Sequence, residues 1–286
     1  MAQNVLLKQL HEKTEGQLNE IIKGSSSLTG FMAIDLTSGD SFSYNAEMVF
    51  PQGSAIKIPV LMELYKQAWQ KKLTLTDLRV VEKKDLVAGT GVLQTMVDPV
   101  SLSLRNLGIL MIVLSDNSAT NTLLGLVGLE NINHTMNTLG LKDTRVQRRM
   151  IDPQASGKGE ENVSTPAEAI KILKCLYEGK FCSSAVSSEI ISILRKNDRG
   201  NSRLGAGIPT SVPLAFKPGE LDGVSTEWAI VYLKERPYAI AIMQNYRIRE
   251  EKDEVMEHIS KVLYNYYWRV GNSSRFGTYV NPEFIK

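Results

Sequence analysis

The stretch "FPQGSAIKIPVLMEL", residues 50–64, places Ser54 three residues before Lys57. Its apolar spacing predicts an amphipathic helix that continues to about residue 70. A lysine three residues after a serine lies on the same helical face, one turn away. Burial of that lysine among apolar neighbours would lower its pKa. The pair fits a nucleophile beside its base, and it equally fits a serine N-cap beside a surface lysine.

Composition excludes several classes of function. The chain has 286 residues, 43% of them hydrophobic and 22% charged, which is typical of a soluble globular protein. The net charge of +2 provides no field of one sign to attract nucleic acid or a membrane. His11, His134 and His258 have no Cys or His at ligand spacing, so we expect no metal, no cofactor and no Ser-His-Asp triad. We expect no membrane span, because no run of about 18 apolar residues occurs.

The cysteines and the N-terminus bear on the cellular compartment. Cys175 and Cys182 would form a short-loop disulfide in an oxidising compartment, but we favour two half-buried thiols near a helix end. The amphipathic N-terminus lacks a basic region followed by an apolar core, so it is not a signal peptide. The protein is therefore either cytoplasmic, or its leader lies outside this sequence.

Periodicity along the chain predicts the fold. A first helix ends near residue 24, a hairpin occupies 31–44, a helical middle follows, and a second hairpin over 223–246 precedes a closing helix. This order predicts an α/β (α+β) fold: an antiparallel sheet built from both termini and flanked by helices, with an inserted all-helical lobe. We expect residues 1–49 and 206–286 in the α/β lobe and 50–205 in the all-α lobe, with the active site in the cleft between them.

Two helix boundaries stand out in the middle of the chain. Residues 107–114 are nearly all apolar, which predicts a helix buried on every side. It stops at Ser115-Asp116-Asn117, three residues that favour caps. Thr165 followed by Pro166 and Glu168 predicts an N-cap with a capping box. The polar segment 145–162 before it is long enough to be a functional loop.

Acyl transfer without histidine needs a serine, an amine base, a proton donor for the leaving group and positive charge for a substrate carboxylate. The only S-x-x-K in the chain, Ser54-Ala-Ile-Lys57, is a weak signal because about one match is expected by chance. However, Ser115-Asp116-Asn117 and Lys217-Pro218-Gly219 follow it in the order of the S-x-x-K, S-D-N and K-T-G motif set.

Through these motifs nearly the whole chain resembles the class A β-lactamase and penicillin-binding serine transferase family. The resemblance implies a two-lobed fold, with Ser54 as the acylated nucleophile and Lys57 as its proton acceptor. Ser115 would pass a proton to the leaving nitrogen, helped by the charge of Lys217, and Asn117 would hold Lys57 and the substrate amide. The implied substrate is a β-lactam or a peptidoglycan-like acyl-D-Ala compound, handled by a periplasmic or secreted monomer.

The resemblance also implies the remaining binding groups. The oxyanion hole would consist of the backbone N–H groups of Ser54 and of Glu220, just past Gly219. Asp116 is expected to tie down its turn. Pro218 stands in place of a carboxylate-binding Thr, and Thr226 lies near the place where many relatives carry an arginine.

Arg203, fourteen residues before Lys217, falls where other relatives place an alternative arginine. We expect it to supply the compensating charge, because a guanidinium matches a carboxylate. The hydroxyl of Thr226 or Ser225 would assist it.

Deacylation is where the chain departs most from the family. The family places a Glu-Pro-x-x-Asn sequence before the helix that begins here at Thr165, whereas this chain has Asp152-Pro153-Gln154-Ala155-Ser156. Asp152 is one methylene shorter, so it is either the general base or only a loop cap. Glu160 and Glu161 are poorer candidates.

Three hypotheses follow. The protein is a class A-like β-lactamase, whose deacylation is either normal or slow; a DD-peptidase, penicillin-binding or esterase-type hydrolase; or a non-catalytic sensor that stays acylated.

Overall fold

A computed structural model describes residues 2–248, 254–274 and 276–279. Within them the α-helices are α1 Ala2–Lys23, α2 Lys57–Trp69, α3 Leu104–Val113, α4 Asn117–Val127, α5 Leu129–Thr138, α6 Pro153–Gly157, α7 Pro166–Tyr177, α8 Ser184–Leu194, α9 Arg203–Ala206 and α10 Val255–Asn272. The strands are β1 Leu28–Asp35, β2 Ser41–Tyr44, β3 Phe50–Pro51, β4 Leu78–Val80, β5 Ser101–Ser103, β6 Val163–Ser164, β7 Leu214–Leu221, β8 Val224–Val231 and β9 Tyr238–Asn245.

Five strands form one antiparallel sheet in the order β2-β1-β9-β8-β7. N-terminal β1 pairs with C-terminal β9 along its whole length, which confirms the sheet built from both termini. Strands β8 and β9 are buried at nearly every position, because helices cover both faces of the sheet. Strand β7 is an edge strand, and an edge tolerates a proline such as Pro218.

The two faces of the sheet carry separate cores. On one face α1 and α10 pack against β1 and its neighbours through side chains such as Phe31 and Ile259. On the other face Trp228 joins a larger core that includes Leu61 of α2 and Met111 of α3. The sheet therefore holds the helical middle of the chain against the strands that carry the C-terminal motif. The boundaries of the two lobes stay a prediction.

Several local predictions are confirmed, and one about burial is wrong. Both hairpins form, and the Thr165 side chain caps α7 by accepting a bond from the Glu168 amide. The expected helix over 107–114 is not buried on every side, since Leu114 is 44% exposed. That property belongs to α2, which is buried from Lys57 to Tyr65. An apolar run alone does not show how many neighbours surround a helix.

Three further observations concern the described residues. No helix among them has both the length and the apolar character needed to cross a membrane. Within the same residues no group of three or more His, Cys, Asp and Glu side chains is placed to hold a metal ion. Cys175 and Cys182 are half-buried free thiols, as the favoured interpretation predicted, and burial raises the pKa of each.

Candidate active site

Ser54 lies in a 3₁₀ turn, Gly53–Ile56, and α2 begins only at Lys57. Gly53 has φ +49°, a left-handed conformation that suits glycine. Residues three apart eclipse each other in a 3₁₀ turn, so Ser54 stays stacked over Lys57. Ser54 is half-buried and Lys57 is fully buried. The turn thus presents an accessible hydroxyl above an amine shielded from water.

The hydroxyl of Ser115 lies between two buried lysines. The Nζ atoms of Lys57 and Lys217 are each 3.1 Å from the Ser115 Oγ. Ser115 has φ +51°, an uncommon conformation that ends the polypeptide run from α3 and turns its side chain between the amines. The structure therefore brings together the three motifs that the sequence places far apart.

Burial decides the charge of Lys57. Burial lowers its pKa well below the ordinary value, and the neighbouring charge of Lys217 lowers it further, against an opposing effect of Asp116. Lys57 donates to the Ser115 carbonyl at 2.7 Å and to the Asn117 Oδ1 at 2.9 Å. A neutral amine has two N–H groups and a lone pair, so these two bonds leave the lone pair for the Ser115 hydroxyl, 3.1 Å away. Neutral Lys57 is thus able to accept a proton.

Lys217 and the buried carboxyl Glu227 form a second titrating pair. Burial lowers the pKa of Lys217 to about 7, against the attraction of Glu227. Burial raises the pKa of Glu227 to about 7, against hydrogen bonds from Ser202, Leu204 and Arg203 and the charge of Lys217. We favour a protonated Lys217 below neutral pH, which puts a cation beside the Ser115 hydroxyl. The motif search missed Glu227, although a lone Glu inside the apolar run of β8 was a visible signal.

The Ser-Asp-Asn turn is held by its acidic member, as expected. Asp116 caps α4 and also accepts amide bonds from Val92 and Leu93 at 2.7 and 2.9 Å. Asn117 binds Lys57 through its oxygen and the Ala88 carbonyl through its nitrogen at 3.3 Å. Its contact with a substrate amide stays a prediction.

Backbone contacts pack the Ser54 turn against the segment around Glu220. A Cβ on Gly219 would lie 2.8 Å from the Ser54 nitrogen, and one on Gly53 would lie 2.8 Å from the Glu220 nitrogen. Amides alternate along a strand, so those of positions 218 and 220 face the same side, the outer edge of β7. Pro218 has no N–H to lose there. The arrangement fits the expected oxyanion hole of the Ser54 and Glu220 amides.

The residues expected to bind a substrate carboxylate already have partners. Arg203 binds Glu220 Oε1 through Nε at 2.9 Å and Nη2 at 2.6 Å. Buried Thr226 donates to the Gln52 carbonyl at 2.9 Å and so holds the residue that precedes the Ser54 turn. The Ser225 hydroxyl is buried against a methionine sulfur. Their roles toward a substrate stay predictions.

Asp152 sits at the start of α6, within the segment that runs from 142 to 165, here called the 142–165 loop. Its side chain is half-buried and accepts a bond from the Ala155 amide at 3.0 Å, so it is an N-cap. The preceding Ile151 has φ +54°, which is a rare and strained conformation for a β-branched residue. Glu161 on the same loop is bound by Arg148 and by the Ser156 hydroxyl. One carboxylate oxygen of Asp152 thus caps α6, and its other oxygen has no hydrogen-bond partner within the 142–165 loop. The role of Asp152 as base stays a prediction.

The 142–165 loop is fixed by contacts that the motif search did not find. The Asn121 amide side chain binds both the Met150 N–H at 2.8 Å and the Met150 carbonyl at 3.2 Å. Glu168 does not close the predicted capping box; its carboxylate instead accepts bonds from the amides of Asp143 and Thr144. These contacts hold both ends of the segment that carries Asp152. Only the fold reveals them, because the partners are more than twenty residues apart.

Comparison with known proteins agrees with this fold. The model of the beta-lactamase enzyme family matches residues 13–267. An imipenem-hydrolyzing beta-lactamase of Enterobacter cloacae is 29% identical over 239 residues, which cover 82% of this chain and 80% of that protein. A beta-lactamase structure from Sphaerobacter thermophilus superposes with TM-score 0.78 and 24% identity, covering 90% of this chain and 96% of that one. A PBP-A variant solved as an acyl-enzyme with penicillin G superposes with TM-score 0.79 and 22% identity, with coverage of 90% and 96%.

Proposed function

The chain belongs to the beta-lactamase enzyme family, and from that premise we propose that it hydrolyses β-lactams through an acyl-enzyme on Ser54. The observation that carries the proposal is the Ser115 hydroxyl, 3.1 Å from the amines of both Lys57 and Lys217. A hydroxyl between a neutral amine and a cation is placed to relay a proton from the base to the leaving nitrogen.

Acylation uses the groups around Ser54. Lys57 takes the Ser54 proton while the hydroxyl oxygen attacks the lactam carbonyl, and the amides of Ser54 and Glu220 stabilise the oxyanion. When the C–N bond breaks, Ser115 gives its proton to the leaving nitrogen and regains one from Lys57. The amine of Lys57 is neutral again at the end of this step, so a second proton transfer can begin.

Deacylation needs a base on the other side of the ester. We propose that Asp152 takes a proton from a water molecule, whose oxygen attacks the acyl carbonyl. As the ester C–O bond breaks, this proton passes to the Ser54 oxygen, which restores the hydroxyl and leaves Asp152 ionised again. One oxygen of Asp152 caps α6, and its other oxygen is available to that water. A misplacement of about 1 Å lowers such a rate on the order of a hundredfold, so the shorter Asp side chain makes slow deacylation the expected outcome.

The test follows product per enzyme with excess chromogenic cephalosporin. We expect sustained turnover in the wild type, and in Asp152→Asn a single burst equal to the enzyme concentration with a stable mass adduct on Ser54. The matched control is Glu160→Gln, an exposed carboxylate on the same loop, which keeps sustained turnover. If Ser54→Ala retains the activity, the acyl-enzyme mechanism is wrong.

A second candidate is a penicillin-binding or DD-peptidase activity on acyl-D-Ala compounds, or an esterase activity. The N-cap role of Asp152 favours it, since one oxygen of this carboxylate is already engaged by the Ala155 amide. A wild type that gives only one burst, with a lasting adduct, supports this candidate or a non-catalytic sensor. Release of D-alanine from an acyl-D-Ala-D-Ala peptide separates the two.

We further propose that the protein acts as a monomer in the periplasm or as a secreted protein. The support for a monomer is that one chain supplies Ser54, Lys57, Ser115 and Lys217. The support for the location is the proposed substrate, because peptidoglycan lies outside the cytoplasmic membrane. Light scattering and cell fractionation test the two points.

A further inference from the structure

An ion pair borders the proposed oxyanion hole. Two nitrogens of Arg203 hold one carboxylate oxygen of Glu220, and the side chains are 38% and 57% exposed. The backbone of Glu220 touches the Ser54 turn, since a Cβ on Gly53 would lie 2.8 Å from its nitrogen. The side chains of the pair are therefore open to solvent. The backbone of Glu220 contacts Gly53, the residue before the nucleophile.

The arginine is held in this place by its backbone. The carboxylate of fully buried Glu227 accepts bonds from the Arg203 amide at 2.9 Å and the Leu204 amide at 3.2 Å, and from the Ser202 hydroxyl. These bonds fix the first turn of α9 against β8. The guanidinium consequently lies beside the end of the edge strand β7, where it binds the carboxylate of Glu220.

Other donors near this point are engaged or missing. The Thr226 hydroxyl donates to the Gln52 carbonyl, and Pro218 has neither a hydroxyl nor an N–H. The Lys217 amine binds Ser115 and the Pro218 carbonyl, both at 3.1 Å. Among these described groups Arg203 is thus the exposed cation, and a carboxylate of the chain itself already binds it. A substrate carboxylate must displace Glu220 or lie beside a like charge.

We propose that Glu220 slows acylation by donors that carry a carboxylate next to the scissile bond, so that replacing this carboxylate by a neutral or cationic group in the same donor speeds acylation of Ser54. The inference rests on the proposed function, because it needs an acylated Ser54. It differs from the expectation that Arg203 binds a substrate carboxylate: the arginine here serves mainly to hold the selecting group.

The test compares benzylpenicillin with its methyl ester, which differ by one negative charge beside the lactam nitrogen. Intact mass gives the second-order rate constant for the Ser54 adduct, and the ester-to-acid ratio of these constants is the readout. We expect Glu220→Gln, which keeps the backbone amide, to lower this ratio about tenfold. The matched control is Asp222→Asn in the following turn, which removes the same charge and leaves the ratio unchanged.

A second variant works in the opposite direction. Arg203→Gln leaves the Glu220 carboxylate unopposed, so the ester-to-acid ratio rises. An unchanged ratio in Glu220→Gln, or a lower one in Arg203→Gln, overturns the inference while labelling of Ser54 still supports the proposed function. If the folded wild type neither forms a Ser54 adduct with these compounds nor hydrolyses them, the proposed function itself is wrong, and the inference with it.

Discussion

Replacing Lys217 by Gln tests whether its charge keeps the catalytic base neutral. The amines of Lys57 and Lys217 are no more than 6.2 Å apart, twice the 3.1 Å that each keeps from Ser115. Two unit charges at that separation repel by about 3 kcal/mol at an effective dielectric constant of about 20. Below pH 7 the amine of Lys217, whose pKa is about 7, is protonated, so this repulsion lowers the pKa of Lys57.

The sign of the expected change follows from that repulsion. Without the neighbouring cation Lys57 binds its proton at higher pH, and a protonated Lys57 is no base. The acidic limb of the acylation rate in Lys217→Gln therefore moves up by about two pH units. In the wild type, loss of the Lys217 proton produces an alkaline limb near pH 7. In Lys217→Gln this alkaline limb disappears. Burst kinetics with a chromogenic cephalosporin from pH 4 to 9 measure both limbs.

A matched control and a contrary result make this prediction sharp. Lys158→Gln removes an exposed lysine on the 142–165 loop and leaves both limbs in place. If the acidic limb of Lys217→Gln stays where it is or moves to lower pH, burial alone keeps Lys57 neutral, and the repulsion argued above is not what matters.

Two further substitutions probe the backbone around the site. Gly219→Ala puts a Cβ 2.1 Å from the Gln52 carbonyl, so we expect β7 to shift and burst rates to fall at least about a hundredfold. The control Gly157→Ala has open space around its Cβ and keeps the wild-type burst rate. An unchanged burst rate in Gly219→Ala contradicts the expected oxyanion hole. Asn121→Ala removes both hydrogen bonds to Met150, so we expect the free energy of unfolding to fall by about 2 kcal/mol. We also expect the steady turnover rate to fall more than the burst rate. Equal losses in the two rates would mean that the 142–165 loop does not serve deacylation.

The sequence predicted the acylation residues because their signals are local. Ser54 and Lys57 lie one turn apart, and residues 115–117 end a helix with three cap-forming side chains. Such spacings survive in any fold that keeps the helices. The sheet was predictable for the same reason, since each hairpin has its own β-rich strands and turn. What the pattern did not give was the 3₁₀ form of the turn at Ser54, because backbone contacts with Glu220 impose it.

The residues that were missed act through partners far away in the chain. Glu227 matters because it lies under α9 and near Lys217, and Asn121 because it clasps the backbone of Met150. No spacing rule links such positions. The Arg203–Glu220 pair belongs to the same group: each residue was assigned a role by resemblance, but only the fold shows that they bind each other.

The two halves of the proposed reaction differ in how firmly the structure holds their groups. Lys57 and Lys217 are buried, each has at least two hydrogen-bonded partners, and both share Ser115. Asp152 is half-buried, follows the strained Ile151 and caps a helix of five residues. A small displacement of the 142–165 loop therefore changes the distance from Asp152 to its water while leaving the lysines in place. Variation in that loop should alter the lifetime of the acyl-enzyme far more than the rate of its formation.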